Sequence, residues 1–169
     1  MKIIFVCTGN TCRSPMAEGF FNMLCAKGAN EDISAISRGT FAESDAPASS
    51  FSVIAAAELG ADISSHKSAQ LTRSDVSCAD YIFTMTKAHK NLIDSALPDF
   101  SDKVFSISEF ASCPDISDPY GGDLSVYREC AAEIFDATEK IYKILSVNNN
   151  EHSLWHTQRR ISWWNSQAR

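Results

Sequence analysis

The chain has 169 residues, 44% of them hydrophobic, and a formal net charge of −6 at pH 7. This length fits one domain with a proper core, and the negative charge argues against a general nucleic-acid-binding protein, since affinity for phosphate backbones comes from excess lysine and arginine. Apolar stretches fall short of the roughly 20 residues that span a bilayer, and the N-terminal strand lacks the pattern of a signal peptide. We therefore expect a cytoplasmic protein with neither a nucleic-acid partner nor a membrane partner.

Strands and helices alternate along the chain. The predicted strands lie near residues 2–6, 33–37, 80–85 and 103–107, and the predicted helices near 15–27, 47–59, 72–78, 87–96 and 123–146. This alternation predicts a single α/β domain of three layers, in which helices cover both faces of a four-stranded parallel sheet. Ligands of such sheets bind beyond the carboxyl ends of the strands. Asn148-Asn149-Asn150 is predicted to end the last helix.

The segment after the first strand is the most informative part of the sequence. It begins with Cys7, continues through Thr8, Gly9, Asn10, Thr11 and Cys12, and ends at Arg13. Ser14-Pro15 is typical of an N-cap followed by proline at the first helical position. The backbone N–H groups of this loop can converge at the positive end of a helix, where an anion is favoured.

The side chains of this loop suggest nucleophilic chemistry on a phosphoryl group. A thiol beside a guanidinium and a helix N-terminus ionises readily, so Cys7 is the candidate nucleophile. Arg13 presents a planar fork that can hold two phosphoryl oxygens. Ser14 can donate a hydrogen bond to the sulfur when it becomes a leaving group, and Asn10 can brace the loop. We therefore predict a phosphate-binding loop after the first strand.

The loop resembles the phosphate loop of the low-molecular-weight protein phosphatases, which share their fold with thioredoxin-coupled arsenate reductases. Further segments occur in the order that this family shows: Ser37-Arg38-Gly39-Thr40, His66-Lys67-Ser68, residues 80–86, and Ser117-Asp118-Pro119-Tyr120-Gly121-Gly122. Ser37-Arg38-Gly39 departs from the commoner Ser-Ala-Gly. The resemblance covers residues 1–147, which implies a phosphatase domain over that range and a C-terminal extension of unknown role at 148–169.

The resemblance implies roles for two residues of the segment 115–123. An Asp-Pro pair alone indicates an ordinary turn, but the family carries its general acid at this position, so Asp118 is the expected proton donor. Tyr120 would then form an aromatic wall at the mouth of the pocket, and the alternative is that it caps the core. Cofactors and metal ions are not expected in this chemistry.

The six cysteines fit neither a disulfide framework nor the C-x2-C pairs of a zinc site. Cys25 and Cys130 are expected in the core. Cys12 shares the loop with Cys7, so a reversible disulfide between them could protect the nucleophile from over-oxidation. Simple packing of Cys12 beneath the loop is the alternative.

Three functions compete for this sequence. An arsenate reductase needs two further cysteines after the third strand, and residues 84–92 contain none. A non-catalytic phosphate-binding or redox-sensing module would have lost Cys7, Arg13 or Asp118, and all three are present. The remaining function is a phosphatase that acts on phosphorylated proteins, which we expect to be a monomer.

The choice of substrate depends on Thr11, where most tyrosine-directed members carry a bulky aliphatic residue. The loop Cys-Thr-Gly-Asn-Thr-Cys-Arg-Ser resembles that of the bacterial protein-arginine phosphatases. A threonine hydroxyl can place a polar contact or a water against a guanidinium, and the Asp118 carboxylate could pair with the same group. We predict a protein-arginine phosphatase, with a protein-tyrosine phosphatase as the alternative.

Other polar and aromatic residues receive structural interpretations. His66 is expected at a polar loop position and His89 on a helix surface. The tail from 148 to 169 is locally basic and rich in tryptophan. It is interpreted either as a segment that docks on a partner or a membrane surface, or as a terminal extension packed loosely on the domain.

Overall fold

The computed structural model describes residues 1–30 and 32–147 with their side chains, and residues 148–167 by their backbone. The strands are β1 Lys2–Cys7, β2 Ser34–Gly39, β3 Tyr81–Thr84 and β4 Val104–Ser106. The helices are α1 Arg13–Lys27, α2 Ser50–Glu58, α3 Arg73–Cys78, α4 Lys87–Ala96, α5 Ile107–Ala111 and α6 Leu124–Gln167, with a 3-10 helix at Pro98–Lys103.

The four strands form one parallel sheet in the order β2-β1-β3-β4. Strand β1 lies between β2 and β3, and its Ile4 stands in register with Ile36 on one side and Ile82 on the other. The predicted four-stranded parallel sheet is confirmed. Cys7 is the last residue of β1 and pairs with Gly39, so the candidate nucleophile lies at the carboxyl edge of the sheet, where ligands of such folds bind.

The two faces of the sheet are covered by different helices, which confirms the three layers. Alternate side chains of β1 point to opposite faces, as the pleat requires. Phe5 packs in the larger cluster, together with buried residues of α1, α2, α5 and α6. Ile4 packs in the smaller cluster, with Val76 of α3 and Ile93 of α4. Helix α1 is therefore held against the sheet close to where β1 ends.

The helix boundaries confirm some predictions and correct others. Helix α4 has the predicted bounds, and α3 begins with a capping box between Thr72 and Asp75. Helix α2 begins later than expected because Ser49 caps it, accepting a hydrogen bond from the backbone N–H of Ser52. Pro47, which was expected inside this helix, instead forms a bridge with Lys67.

The predicted start of α1 is wrong by two residues. The helix begins at Arg13 with Cys12 at the N-cap position, so Ser14 is not the capping residue. Ser14 lies inside the first turn and is completely buried, where its hydroxyl faces the loop instead of a helical N–H. The backbone of Arg13 therefore belongs to a regular helix, so its side chain starts from a rigid position.

The last helix does not end where the asparagines predict. Helix α6 continues through residues 148–150 to Gln167. Asparagine costs only a few tenths of a kcal/mol relative to good helix formers, and the sequence from 147 to 167 contains neither proline nor glycine to stop the helix. Both interpretations of the tail concern side chains at 148–169, outside those described. Within the described part of the chain, helices are too short or too polar to cross a membrane.

Candidate active site

The loop between β1 and α1 surrounds the sulfur of Cys7 with hydrogen-bond donors. The backbone N–H of Asn10 lies 3.3 Å from Sγ, and the hydroxyl of Ser14 lies 3.0 Å from it. Both groups can donate to a thiolate, and hydrogen bonds to the charged form of a group favour that form. The sulfur also lies beside the N-terminus of α1, whose positive end favours negative charge. The loop can therefore hold Cys7 as a nucleophile.

Asn10 fixes the shape of the loop from inside. It is fully buried and has a left-handed φ of 55°, a conformation that asparagine tolerates better than most residues. Its Nδ2 donates to Ser14 Oγ and to Ser37 Oγ, each at 2.9 Å, and its Oδ1 accepts from the backbone N–H of Ala69 at 2.9 Å. The side-chain amide of Asn10 thus forms hydrogen bonds through both its nitrogen and its oxygen, and these bonds hold the loop from inside.

His66 and Glu18 extend this hydrogen-bond network. His66 Nε2 lies 2.8 Å from the carbonyl oxygen of Asn10, and its Nδ1 lies 3.9 Å from Glu18 Oε2. Ser37 Oγ donates to the same carboxylate at 2.6 Å. His66 was expected at an ordinary polar loop position, and its contact with the phosphate loop was missed. The only signal was its place in the segment His66-Lys67-Ser68.

Arg13 connects the loop with the segment that carries the expected acid. Its side chain is buried, with Nη1 donating to the carbonyl oxygen of Ile116 at 3.2 Å and Nη2 donating to Asp118 Oδ2 at 2.7 Å. Its Nε is buried and has no hydrogen-bond partner among the residues that the structure describes. The structure therefore pairs Arg13 at the end of the loop with Asp118, the carboxylate that the sequence singled out as the candidate acid.

A family model described as low molecular weight phosphotyrosine protein phosphatase matches residues 2–151 of the chain. The chain belongs to this family. This chain is 37% identical over 148 residues to a protein-arginine-phosphatase of Bacillus subtilis. The alignment covers 86% of this chain and 97% of the relative. It is 40% identical over 142 residues to the low molecular weight protein-tyrosine-phosphatase PtpB of Staphylococcus epidermidis, covering 83% and 96%.

The solved structures agree with the sequence comparison. The YwlE arginine phosphatase from Geobacillus stearothermophilus superposes with a TM-score of 0.82 at 33% identity, covering 89% of this chain and 96% of that one. The relatives thus include proteins named for phosphoarginine and proteins named for phosphotyrosine.

The carboxylate of Asp118 lies at the rim of the phosphatase site. Its side chain is 52% exposed, and its Oδ1 accepts a hydrogen bond from the backbone N–H of Tyr120 at 3.2 Å. Pro119 between them is buried and anchors the turn. Tyr120 is 82% exposed, so the alternative that it caps the core is wrong. Its role as a wall of the pocket stays a prediction.

A histidine that the sequence did not indicate contacts the loop next to Cys7. Thr8 is exposed, and its Oγ1 lies 2.9 Å from His89 Nε2, while His89 Nδ1 lies 2.8 Å from Thr86 Oγ1. His89 lies on helix α4, as expected, but it is half-buried, and its contacts with Thr8 and Thr86 were not predicted. Burial lowers the pKa of His89, and the charge of Arg13 lowers it further, so the ring is neutral at pH 7 and tethers the loop without adding charge.

Thr11 and Gly9 occupy the remaining positions of the loop. Thr11 is half-buried, its carbonyl oxygen accepts from the backbone N–H of Ser49 at 2.8 Å, and its hydroxyl lies 3.7 Å from Cys12 Sγ. A Cβ at Gly9 would meet only Thr11 Oγ1, at 3.7 Å. The glycine needed for close packing is Gly39, where a Cβ would come within 2.5 Å of the carbonyl oxygen of Thr8.

The other cysteines differ from Cys7 in their surroundings. Cys25 and Cys130 are buried, as predicted, and burial raises their pKa values to about 11 and about 12, which keeps them protonated. Cys12 is buried with its Sγ 3.4 Å from the hydroxyl of Tyr127, whose pKa burial and this contact raise to about 12. Protection of Cys7 by Cys12 stays a prediction. Within residues 1–30 and 32–147, histidine, cysteine and carboxylate side chains do not form a cluster suited to a metal ion.

Proposed function

We propose that the chain hydrolyses phosphoarginine in proteins through a phosphocysteine intermediate. The observation that carries the proposal is the 2.7 Å ion pair between buried Arg13 and half-exposed Asp118, together with the Cys7 sulfur, which belongs to the segment that ends at Arg13 and has two hydrogen-bond donors. This arrangement supplies a nucleophile, an anion clamp and a proton donor from one chain, so a monomer is sufficient.

In the first step, Cys7 Sγ attacks phosphorus and the bond from phosphorus to the guanidinium nitrogen breaks. The Arg13 fork and the loop N–H groups of Thr8, Gly9, Thr11 and Cys12 would hold the phosphoryl oxygens in line with the sulfur. When Arg13 turns to the phosphoryl group, its ion pair with Asp118 is released. The released carboxylate takes up a proton from solvent, and the resulting carboxyl of Asp118 gives this proton to the departing nitrogen.

In the second step, water attacks the phosphocysteine and inorganic phosphate leaves. Asp118, now a carboxylate, takes the proton from the attacking water, as microscopic reversibility of its first role requires. The sulfur leaves as a thiolate, and the hydroxyl of Ser14 at 3.0 Å would donate to it. Asp118 then loses this proton to solvent and pairs again with Arg13, which restores the starting state.

The choice of phosphoarginine is supported by the polar character of the rim. Thr8 is exposed and carries a hydroxyl, and Asp118 has a half-exposed carboxylate. The hydroxyl of half-buried Thr11 is proposed as a third acceptor, because a guanidinium has several N–H donors that need such acceptors. The similarity to protein-arginine-phosphatases of two bacilli agrees with this choice. The exposed ring of Tyr120 and the similarity to PtpB favour the alternative, a protein-tyrosine phosphatase.

The test is steady-state hydrolysis of two peptides that differ only in the phosphorylated residue. The proposal predicts that kcat/KM for the phosphoarginine peptide exceeds that for the phosphotyrosine peptide by about tenfold or more, equal to about 1.4 kcal/mol. Cys7→Ser is the control for contaminating phosphatases. A preference for phosphotyrosine would establish the alternative.

Cys12 is proposed to protect the nucleophile, because both thiols belong to one loop and the described cysteines are free. Mild peroxide would oxidise Cys7, and Cys12 would capture the sulfenic acid as a disulfide with loss of water. A dithiol should then restore wild-type activity but not that of Cys12→Ser. Full recovery of this variant would assign Cys12 to packing alone. This chemistry suits a reducing compartment such as the cytoplasm.

A further inference from the structure

A groove lined by apolar side chains begins at the rim of the candidate active site. It encloses about 250 Å³, and its lining includes Phe41, Leu71, Leu92, Ala96 and Leu97. Phe41 and Leu92 are large hydrophobic side chains that remain 73% and 44% exposed. Isolated exposed apolar residues are common, whereas apolar residues that together line a concave surface indicate a binding site. We call this feature the rim groove.

One wall of the rim groove is a braced loop. The backbone N–H of Phe41 donates to the carbonyl oxygen of Thr8 at 2.9 Å, next to the nucleophile. Gln70 holds both neighbours of Phe41, because its Nε2 donates to the carbonyl oxygen of Thr40 at 2.6 Å and its Oε1 accepts from the N–H of Ala42 at 2.9 Å. The phenyl ring is thus presented to solvent by an ordered backbone, which reduces the entropy lost on binding.

The other wall is helix α4, and it meets the same residue of the phosphate loop. Leu92 lies one turn after His89 on this helix. His89 Nε2 lies 2.9 Å from Thr8 Oγ1. The two walls are therefore both hydrogen-bonded to Thr8, one through its carbonyl oxygen and the other through its hydroxyl. A chain that leaves the pocket past Thr8 enters the rim groove directly.

We propose that the rim groove binds an apolar side chain, of the size of leucine or phenylalanine, that flanks the phosphorylated residue in the substrate protein. This inference rests on the proposed function, which places a phosphorylated side chain in the pocket and its backbone at the rim. The occupant is apolar because the groove walls would desolvate a charged group without offering an opposite charge. The occupant is large because a small side chain would leave the ring of Phe41 exposed to solvent.

The experiment uses peptides in which each of the three positions on either side of the phosphorylated residue is in turn leucine or serine. At one of these positions, leucine should raise kcat/KM by about fivefold or more relative to serine, mainly by lowering KM. The reason is that burial of an apolar side chain contributes to binding away from the reacting bond. Leu92→Ser should abolish this advantage, and so should Ala96→Glu, which places a charge in the groove. Activity on free phosphoarginine should remain unchanged in both variants.

Ile144→Ser is the matched control, because Ile144 is 42% exposed on α6 and outside the groove. This variant should keep the wild-type leucine preference. The inference is overturned if leucine changes kcat/KM by less than about twofold in every register, or if the preference survives in Leu92→Ser and Ala96→Glu. The series is run with phosphoarginine peptides and with phosphotyrosine peptides. If the proposed substrate is wrong, the phosphotyrosine peptides are hydrolysed faster, and the leucine preference in that series still tests the rim groove.

Discussion

The inner side of the phosphate loop and its rim differ in how completely their polar groups are paired and buried. On the inner side, Asn10, Ser14 and Ser37 are all buried and hydrogen-bonded to one another or to the loop. At the rim, the side chain of Asp118 is 52% exposed and Tyr120 is 82% exposed. The difference leads to a prediction: substitutions in the buried network should affect every substrate, while substitutions at the exposed rim should change which phosphorylated side chain is accepted.

The energetic consequence is that the two regions should respond differently to substitution. A buried polar group that loses its partner costs about 1–3 kcal/mol, whereas substitution of an exposed side chain usually changes stability by less than about 0.5 kcal/mol. Inner-side substitutions should therefore lower stability and turnover of every substrate. Rim substitutions should leave stability nearly unchanged and alter activity selectively.

The largest effect is expected at the sulfur itself. Cys7→Ser should lower kcat by on the order of 10⁴-fold or more on every substrate, because a serine hydroxyl remains protonated at this position. Phosphate should still bind, since the loop N–H groups and Arg13 are unchanged. Calorimetric titration with phosphate and a steady-state assay check both statements. Turnover within tenfold of wild type would remove Cys7 from its assigned role.

The next effect is expected at the rim acid. Asp118→Asn cannot donate a proton, so hydrolysis of phosphoarginine should slow by about 10²- to 10⁴-fold. A nitrophenyl phosphate, whose leaving group needs no proton, should lose much less. Pre-steady-state measurement of the first step on both substrates tests this difference. Equal losses would assign Asp118 a structural role through its contact with Arg13.

A smaller effect, on stability, is expected inside the loop. Asn10→Ala leaves the backbone N–H of Ala69 without its acceptor and Ser37 without one of its donors, and should lower the free energy of unfolding by about 2–4 kcal/mol. Thr8→Ala is the rim control and should lose less than about 1 kcal/mol. Urea unfolding measures both. Similar losses in the two variants would contradict the difference between the regions.

The smallest effect is a pH dependence of stability through His89. Its folded pKa lies below the ordinary 6.5 because of burial and Arg13, although Asp118 and Asp115 act in the opposite direction. His89 therefore binds a proton more readily in the unfolded chain than in the folded one. Its contribution to the free energy of unfolding is complete above pH 6.5 and is lost as the pH falls through the folded pKa. His89→Gln should lose less unfolding free energy than wild type between pH 7.5 and pH 5 in urea titrations. An identical loss would show that His89 does not contribute.

Much of the fold and the reacting groups could be predicted from the sequence because their signals are local. The apolar run of β1 and the spacing from Cys7 to Arg13 lie within one short segment. The helical pattern of α4 predicted its bounds. By contrast, α5 spans five residues, which is too short for a periodic pattern.

The supporting residues could not be predicted in this way because tertiary contacts bring them to the loop. His66 is 56 residues from Asn10 in the chain, and His89 is 81 residues from Thr8. Single histidines carry no spacing pattern that indicates such contacts. Ser14 shows the same limit at short range, because helix α1 begins one residue before it and turns its hydroxyl to the sulfur. The roles of these residues stay predictions.

The measurement that tests the division between inner side and rim most directly is the ratio of kcat/KM for phosphoarginine to that for phosphotyrosine, in wild type and in Thr11→Ile. The isoleucine replaces half-buried Thr11 and removes the hydroxyl that is proposed to contact the substrate, so the guanidinium should lose a partner at a cost of about 1–3 kcal/mol. The account predicts that the ratio falls by about tenfold or more, while kcat/KM for phosphotyrosine and the free energy of unfolding stay close to wild type. An unchanged ratio, or an equal fall on both substrates, would contradict it.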